Sequence, residues 1–414
     1  MSAPHSTSTL SVAGDLRSIV GPQHVRGGSA TEGVDGIVPQ FVVEPATANE
    51  VARVLKCAND AELIVSTRGG GTKTGWGNAL KRCDIVLSMA RMNAVIEHAA
   101  SDLTVSVQAG CTIDALQKVL ASQGQRLAFD PLWPERATVG GTLATNDSGS
   151  LRIRYGALRD LVIGMTLALP DGTLAKSGGK VVKNVAGYDL PKLATGSFGT
   201  LAVITDAVFR LHPIFAETRC FSAPAPNAEA GNKLMLAMLD SKLAFTGLQM
   251  RVEREDAVDV DVRFEGTAAG VTGQTEQLRK IAAPVREVSA DLFQARQRLC
   301  EQGAVAAKFS TLPADLASFC NEVAYHARDA KWSLVAQANG IGYLRIAVGI
   351  EVLGKLRTSL EPKGSFVILQ CPPEMKQQID AWGSPGDALP LMRRVKQQFD
   401  PKGTLNPGRF VGGI

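Results

Sequence analysis

Histidine is scarce in this sequence, five residues in 414, and the seven cysteines stand at least 20 residues apart with no C-x-x-C pair. Zinc and iron–sulfur spacings are therefore missing, and the scattered thiols Cys57, Cys83, Cys111, Cys220, Cys300, Cys320 and Cys371 are expected to be reduced in a cytoplasmic protein, most of them as small buried hydrophobes. No run of about 18 apolar residues is free of charge, so no membrane-spanning helix is expected. Met1–Asp15 carries no Lys or Arg and no apolar block of signal length, so export is not expected either. The net charge is only +4 and evenly spread, which excludes an electrostatic footprint for nucleic acid.

What is present is the mix of a soluble globular chain, 45% hydrophobic and 20% charged. A length of 414 residues, at about 150 per domain, predicts two or three domains. Residues 1–38, rich in Ser, Thr, Gly and Ala, predict a loosely held arm or surface helix. Residues 39–213 alternate short apolar strands with Gly-rich turns. Residues 214–385 change to Ala-rich and charged helical segments, such as Thr275–Arg286 and Leu316–Ala330, with strand-like runs at Asp256–Phe264 and Gly342–Gly349. Residues 386–414 hold a closing helix, Leu389–Phe399, stopped at Asp400-Pro401.

Chemistry concentrates in the second stretch. A helix over Glu50–Ala61 is followed by a strand, Leu63–Thr67, that runs into Arg68-Gly69-Gly70-Gly71-Thr72-Lys73-Thr74-Gly75. Three glycines without Cβ atoms let successive main-chain N–H groups converge on an anion, and a diphosphate fits such a loop. The loop is neither a Walker A motif, since Thr72 precedes its Lys, nor a G-x-G-x-x-G fingerprint, since Thr74 stands at the last glycine position. By itself it reads equally as a surface turn. Thr138-Val139-Gly140-Gly141-Thr142-Leu143-Ala144-Thr145-Asn146 repeats the pattern, preceded by Pro131 and followed by Ser148-Gly149. Tyr155-Gly156 and Gly196-Ser197-Phe198-Gly199-Thr200 complete four glycine clusters, the last feeding an apolar strand, Leu201–Leu211, that includes Val203 and Ile204. Leu161–Leu169 and Thr173–Ala175 flank Pro170-Asp171-Gly172 as a hairpin.

In this order the motifs resemble the FAD-binding domain of the vanillyl-alcohol-oxidase family, the PCMH-type flavin domain, over about Pro39 to Pro213. The tail Leu405-Asn406-Pro407-Gly408-Arg409-Phe410 is similar to the C-terminal signature of that family's FAD-linked oxidases. The resemblance implies an α+β fold, a PCMH-type two-subdomain FAD-binding domain with a smaller α+β cap. It implies a cofactor site of Arg68, Gly69, Gly70, Gly71, Thr72, Lys73, Thr74, Pro131, Thr138, Gly140, Gly141, Thr142, Thr145, Asn146, Ser148, Gly149, Tyr155, Gly156, Val203, Ile204 and Asn406. Relatives that bind FAD covalently use a His where Thr72 stands here, so non-covalent FAD is expected.

Catalytic relatives that oxidise lactate or glycolate carry His-x-Gly-Asp-Gly-Asn-x-His in the cap. The best register here is Ala338-Asn339-Gly340-Ile341-Gly342-Tyr343-Leu344-Arg345, in which Ala, Ile and Arg supply no metal ligand. No metal is expected, and the catalytic residues are left unassigned. A flavin domain with such a cap resembles the FAD-binding subunits of multi-subunit bacterial glycolate oxidases. The resemblance implies a catalytic flavin subunit and an iron–sulfur subunit as partners, a small 2-hydroxy acid as the substrate of the complex, and membrane contact only through that complex. Two alternatives stand beside this: an autonomous flavin oxidase using Tyr188, Tyr343, Arg154 or Arg345, and a flavin-binding scaffold without a redox role.

Overall fold

The computed structural model describes residues 5–179, 187–254, 257–300, 304–328 and 330–414. The chain forms two compact units. The larger gathers residues 1–147, 157–213 and 384–414; the smaller gathers 148–156 and 214–383.

Among the described residues the larger unit holds two main sheets and a two-stranded pair, Gln125–Arg126 with His212–Pro213. In the first, the strands run in the order Val25–Gly27, Phe41–Val43, Ile85–Ser88 and Val65–Arg68. The last three are parallel, as a crossover through the Ala48–Asp60 helix requires. That helix is capped by Thr47, whose side chain accepts from the Glu50 N–H, and buries Val51, Val54, Leu55 and Ala58 along one stripe. The second sheet is antiparallel and built from Val95–Ala99, Thr104–Gln108, Val203–Arg210, Val162–Ala168 and Leu174–Gly178, in that order. The expected hairpin is present as the pairing of Gly164–Ala168 with Leu174–Gly178. The N-terminal segment is a helix, His5–Val20, that buries Ala13, Leu16 and Val20 within this unit. Of the two forms expected for residues 1–38, a loosely held arm or a surface helix, this segment takes the helical one; residues 1–4 lie outside the described residues.

The smaller unit is one eight-stranded antiparallel sheet with helices Ala228–Leu239, Ala268–Ile281, Leu316–His326 and Ile350–Leu360. Its logic is the period of two. In Gly247–Arg254 and Ala257–Gly266, the residues Leu248, Met250, Val252, Val258, Val260, Val262 and Phe264 enter the apolar core, while Gln249, Arg251, Asp259, Asp261 and Arg263 take the other face. The Thr275–Arg286 helix is shifted towards the N-terminus, because Thr267 caps it and the chain leaves helical geometry at Ala282. Asp256, the expected start of one strand, lies outside the described residues; the strand is described from Ala257. Among the described residues no helix is long and apolar enough to cross a membrane.

Candidate functional site

The Val65–Arg68 strand delivers the chain into the glycine loop, which ends in turns and not in a helix. Among the described residues, no protein acceptor is found for the main-chain N–H groups of Gly69, Gly70, Gly71 and Thr72. Glycine is required here for two different reasons. Gly71 has φ +72°, a left-handed conformation that strains other residues. Gly69 and Gly70 interlock with the second glycine stretch: a Cβ would lie 2.1 Å from Thr138 Oγ1 at Gly69 and 1.6 Å from the Arg136 carbonyl oxygen at Gly70.

The second stretch forms a short helix, Val139–Thr145, with Thr138 as its N-cap. Its first amides are spent inside the protein. Val139 N–H donates to the Cys111 carbonyl at 2.9 Å, Gly140 N–H to the Ala109 carbonyl at 2.8 Å, and Gly141 N–H to Thr138 Oγ1 at 3.3 Å. The expectation that both stretches offer free amides to a ligand is therefore corrected for residues 139–141. Gly140 is glycine because a Cβ would come within 2.8 Å of the Ala109 Cβ.

The C-terminal tail completes the site. Leu405 bridges Val65 in parallel, with Val65 N–H donating to the Thr404 carbonyl at 2.8 Å and Asn406 N–H to the Val65 carbonyl at 3.2 Å. Buried Asp400 accepts from the N–H groups of Thr404 and Leu405 and from Lys396 Nζ. Burial lowers the Lys396 pKa, opposed by the Asp400 carboxylate. Asn406, itself at positive φ, donates from Nδ2 to the Phe198 and Gly199 carbonyls, both at 3.2 Å, and so ties the tail to a turn in which Phe198 and Gly199 also have positive φ. Arg409 is buried, donates from Nε to the Trp76 carbonyl at 3.1 Å, and is held below the ordinary guanidinium range by burial.

These elements enclose a cleft of about 790 Å³, part of it open to solvent. Of the expected site residues, Gly69 through Thr74, Thr138, Gly140, Gly141, Thr145, Val203, Ile204 and Asn406 line it. Arg68, Pro131, Thr142 and Asn146 belong to the same unit but do not; the Arg68 guanidinium lies back over Gly71. Lys73 lines the cleft, yet its ammonium stands 3.2 Å from Asp147 in a buried pair, so its charge is compensated by the protein. Ser148, Gly149, Tyr155 and Gly156 fall in the smaller unit. There the Tyr155 hydroxyl donates to Glu265 at 3.4 Å, and the Ser148 carbonyl accepts from Tyr343 at 3.5 Å. Sequence reasoning left Thr67, Met89, Ala109, Ala144, Phe198, Gly199, Ala202 and Arg409 off the site. Arg409 was within reach, three residues past Asn406 in the same tail motif, as were Phe198, Gly199 and Ala202 in the fourth glycine cluster and the strand it feeds; Thr67, Met89, Ala109 and Ala144 carry no signal short of the fold.

In the smaller unit, Asp261 is fully buried and accepts from Arg251 Nε at 2.6 Å and from Gln249 Nε2 at 3.0 Å. Arg296 donates to the Tyr343 hydroxyl at 3.2 Å, and Arg345 donates to the Arg298 carbonyl. Among the described residues no three His, Cys, Asp or Glu gather in metal-binding reach.

The cleft suits a phosphate-bearing, partly apolar ligand. It offers unused amides at one wall, and buried Thr67 Oγ1 and Asn406 Oδ1 have no hydrogen-bond partner among the described residues. Native interiors rarely leave such atoms unsatisfied. The model of the FAD binding domain matches residues 39–178, and that of the C-terminal domain of FAD linked oxidases matches residues 380–410. Glycolate oxidase subunit GlcD of Bacillus subtilis is 32% identical over 207 residues, 50% of this chain and 44% of that protein. D-lactate dehydrogenase of Archaeoglobus fulgidus is 39% identical over 189 residues, 45% of this chain and 42% of that protein. The match thus spans less than half the length of these curated relatives. The solved structure of 4-ethylphenol oxidase from Gulosibacter chungangensis shares the fold, with a TM-score of 0.76 over 98% of this chain and 97% of that one at 15% identity. The architecture is that of the PCMH-type FAD-binding proteins, and FAD is the cofactor. Two family models thus match opposite ends of the chain, on segments that the fold brings together at one cleft.

Proposed function

We propose that FAD lies in the cleft with its diphosphate on the main-chain amides of Gly69–Thr72, and that the chain is the FAD-binding subunit of a multi-subunit oxidase of a 2-hydroxy acid such as glycolate or D-lactate. The observation that carries the cofactor's position is the set of four unused amides on a loop where Gly69 and Gly70 leave no room for a Cβ. Asn406 and Thr67 supply further polar groups, and Val203, Ile204, Met89 and Ala202 an apolar wall for a planar ring. Bound FAD would supply reversible acceptance of two electrons. Under this reading FAD is held non-covalently, since Thr72 stands where relatives that bind FAD covalently place a histidine.

The subunit role is supported by the relatives, which include a glycolate oxidase subunit by name, and by the resemblance of the chain to the FAD-binding subunits of bacterial glycolate oxidases. It is supported also by the cap, where Ala338, Tyr343 and Arg345 stand at positions that ligand histidines or Asn take in catalytic relatives. Its partners under this reading are a catalytic flavin subunit and an iron–sulfur subunit. A second reading, an autonomous oxidase, is favoured by one observation: the buried Tyr343 hydroxyl accepts a hydrogen bond from Arg296 at 3.2 Å, which places a cation beside a group able to exchange a proton.

Anaerobic mixing of the purified FAD-loaded chain with glycolate or D-lactate separates the readings. A yellow protein that keeps its colour alone, and bleaches when the two partner subunits are added, supports the subunit. Bleaching by the isolated chain, abolished in Tyr343→Phe, overturns it in favour of the oxidase.

A further inference from the structure

The glycine loop carries a lysine whose charge is not offered to a ligand. The Lys73 and Asp147 side chains are 4% and 0% exposed and pair at 3.2 Å. The ammonium also lies 5.7 Å from the ring centroids of both Trp76 and Trp133, and the Asp147 carboxylate accepts the Leu132 N–H at 2.8 Å. Three segments therefore meet at one ion pair: the glycine loop, the 131–137 turn and the end of the Val139–Thr145 helix. Two of these junctions are conformationally costly, since Trp133 and Asn146 have φ of +52° and +47°. A buried ion pair contributes little net stability over apolar residues of the same volume, because desolvation offsets its attraction. Its yield lies in direction, as both partners must meet in one geometry.

We propose that Lys73 is a positioning residue, locked by Asp147 so that the Gly69–Thr72 amides are already aimed before FAD arrives. The inference rests on the reading that the cleft holds FAD. The two candidate roles of Lys73 predict opposite outcomes for Asp147→Asn. A lysine that contacted the phosphates directly would be released by this change, and FAD would bind as well or better. A positioning lysine would lose its anchor, and the Kd for FAD should rise by about tenfold or more, the equivalent of one hydrogen bond's worth of misplacement.

The test titrates apoprotein with FAD by flavin fluorescence quenching and follows apoprotein melting by circular dichroism. Asp147→Asn and Lys73→Met should both weaken FAD; parent-like or tighter binding by Asp147→Asn overturns the proposal. The neutral double variant Lys73→Met/Asp147→Asn should regain the parent's melting temperature while FAD stays weak. Recovery of both would overturn positioning and leave a purely structural pair, and this variant decides the matter where a single one does not fold. Thr72→Glu separates the two possible failures, since it places a carboxylate among the free amides without touching the pair. Normal FAD binding by Thr72→Glu removes the cleft reading itself; loss of FAD there, with retention in Asp147→Asn, removes only the positioning role.

Discussion

Gly69-Gly70-Gly71-Thr72 and Val139-Gly140-Gly141-Thr142 have almost the same composition and lie against one another, yet their main chains do opposite things. In the first, the N–H groups face no protein acceptor; in the second, those of Val139, Gly140 and Gly141 are consumed by Cys111, Ala109 and Thr138. One stretch is the offering surface and the other is the backing that holds it in place. The difference teaches that a glycine pair marks close approach of main chains, while only the location of acceptors decides whether the approaching partner is ligand or protein.

The contrast can be broken most strongly at Gly70. Any Cβ there meets the Arg136 carbonyl oxygen at 1.6 Å, so Gly70→Leu should cost about 3 kcal/mol or more and abolish FAD binding; thermal melting and the visible absorbance of purified protein measure both. Gly140→Ala presses on the Ala109 Cβ at 2.8 Å, with the Ala109 carbonyl oxygen farther off at 3.2 Å. It should cost about 1–3 kcal/mol yet leave the folded fraction yellow, and full flavin loss there would erase the distinction between the stretches. Thr138→Ala removes the helix cap and the hydroxyl against Gly69, with an expected loss of about 1 kcal/mol in urea denaturation and a smaller fall in FAD affinity.

The smallest effect is on pH. Burial, aided by Asp84, pushes the Cys83 thiol up to about 11 from 9.0. A raised thiol pKa favours the protonated folded form, so this contribution is intact below 9.0 and is lost as pH rises towards about 11. Alkaline denaturation of the parent should accordingly be shallower in Cys83→Ala over that window; identical alkaline limbs would show that Cys83 ionises freely.

Much of the larger unit was legible because its signals are local. The Glu50–Ala61 periodicity appears as the Ala48–Asp60 helix, the Leu389–Phe399 helix stops at Asp400, and the Pro170-Asp171-Gly172 turn joins paired strands. Lys73 lines the cleft with the rest of its loop, but the pairing of its ammonium was not legible locally, because its carboxylate partner Asp147 lies 74 positions away. The Tyr155-Gly156 pair was assigned to the cofactor because of its place in sequence, while the fold pairs Tyr155 with Glu265 of the smaller unit's sheet.

The sequence by itself determined where glycines cluster, which residues alternate across the strands of the smaller unit, and that histidine is scarce, because each depends on residue type and short spacing. Only the tertiary structure decided which amides stay unused, which buried charge is already compensated, and that residues 404–406 run alongside Val65. Hydrogen bonding and charge compensation are properties of pairs, and the partners here lie dozens to hundreds of residues apart, where no local pattern records them.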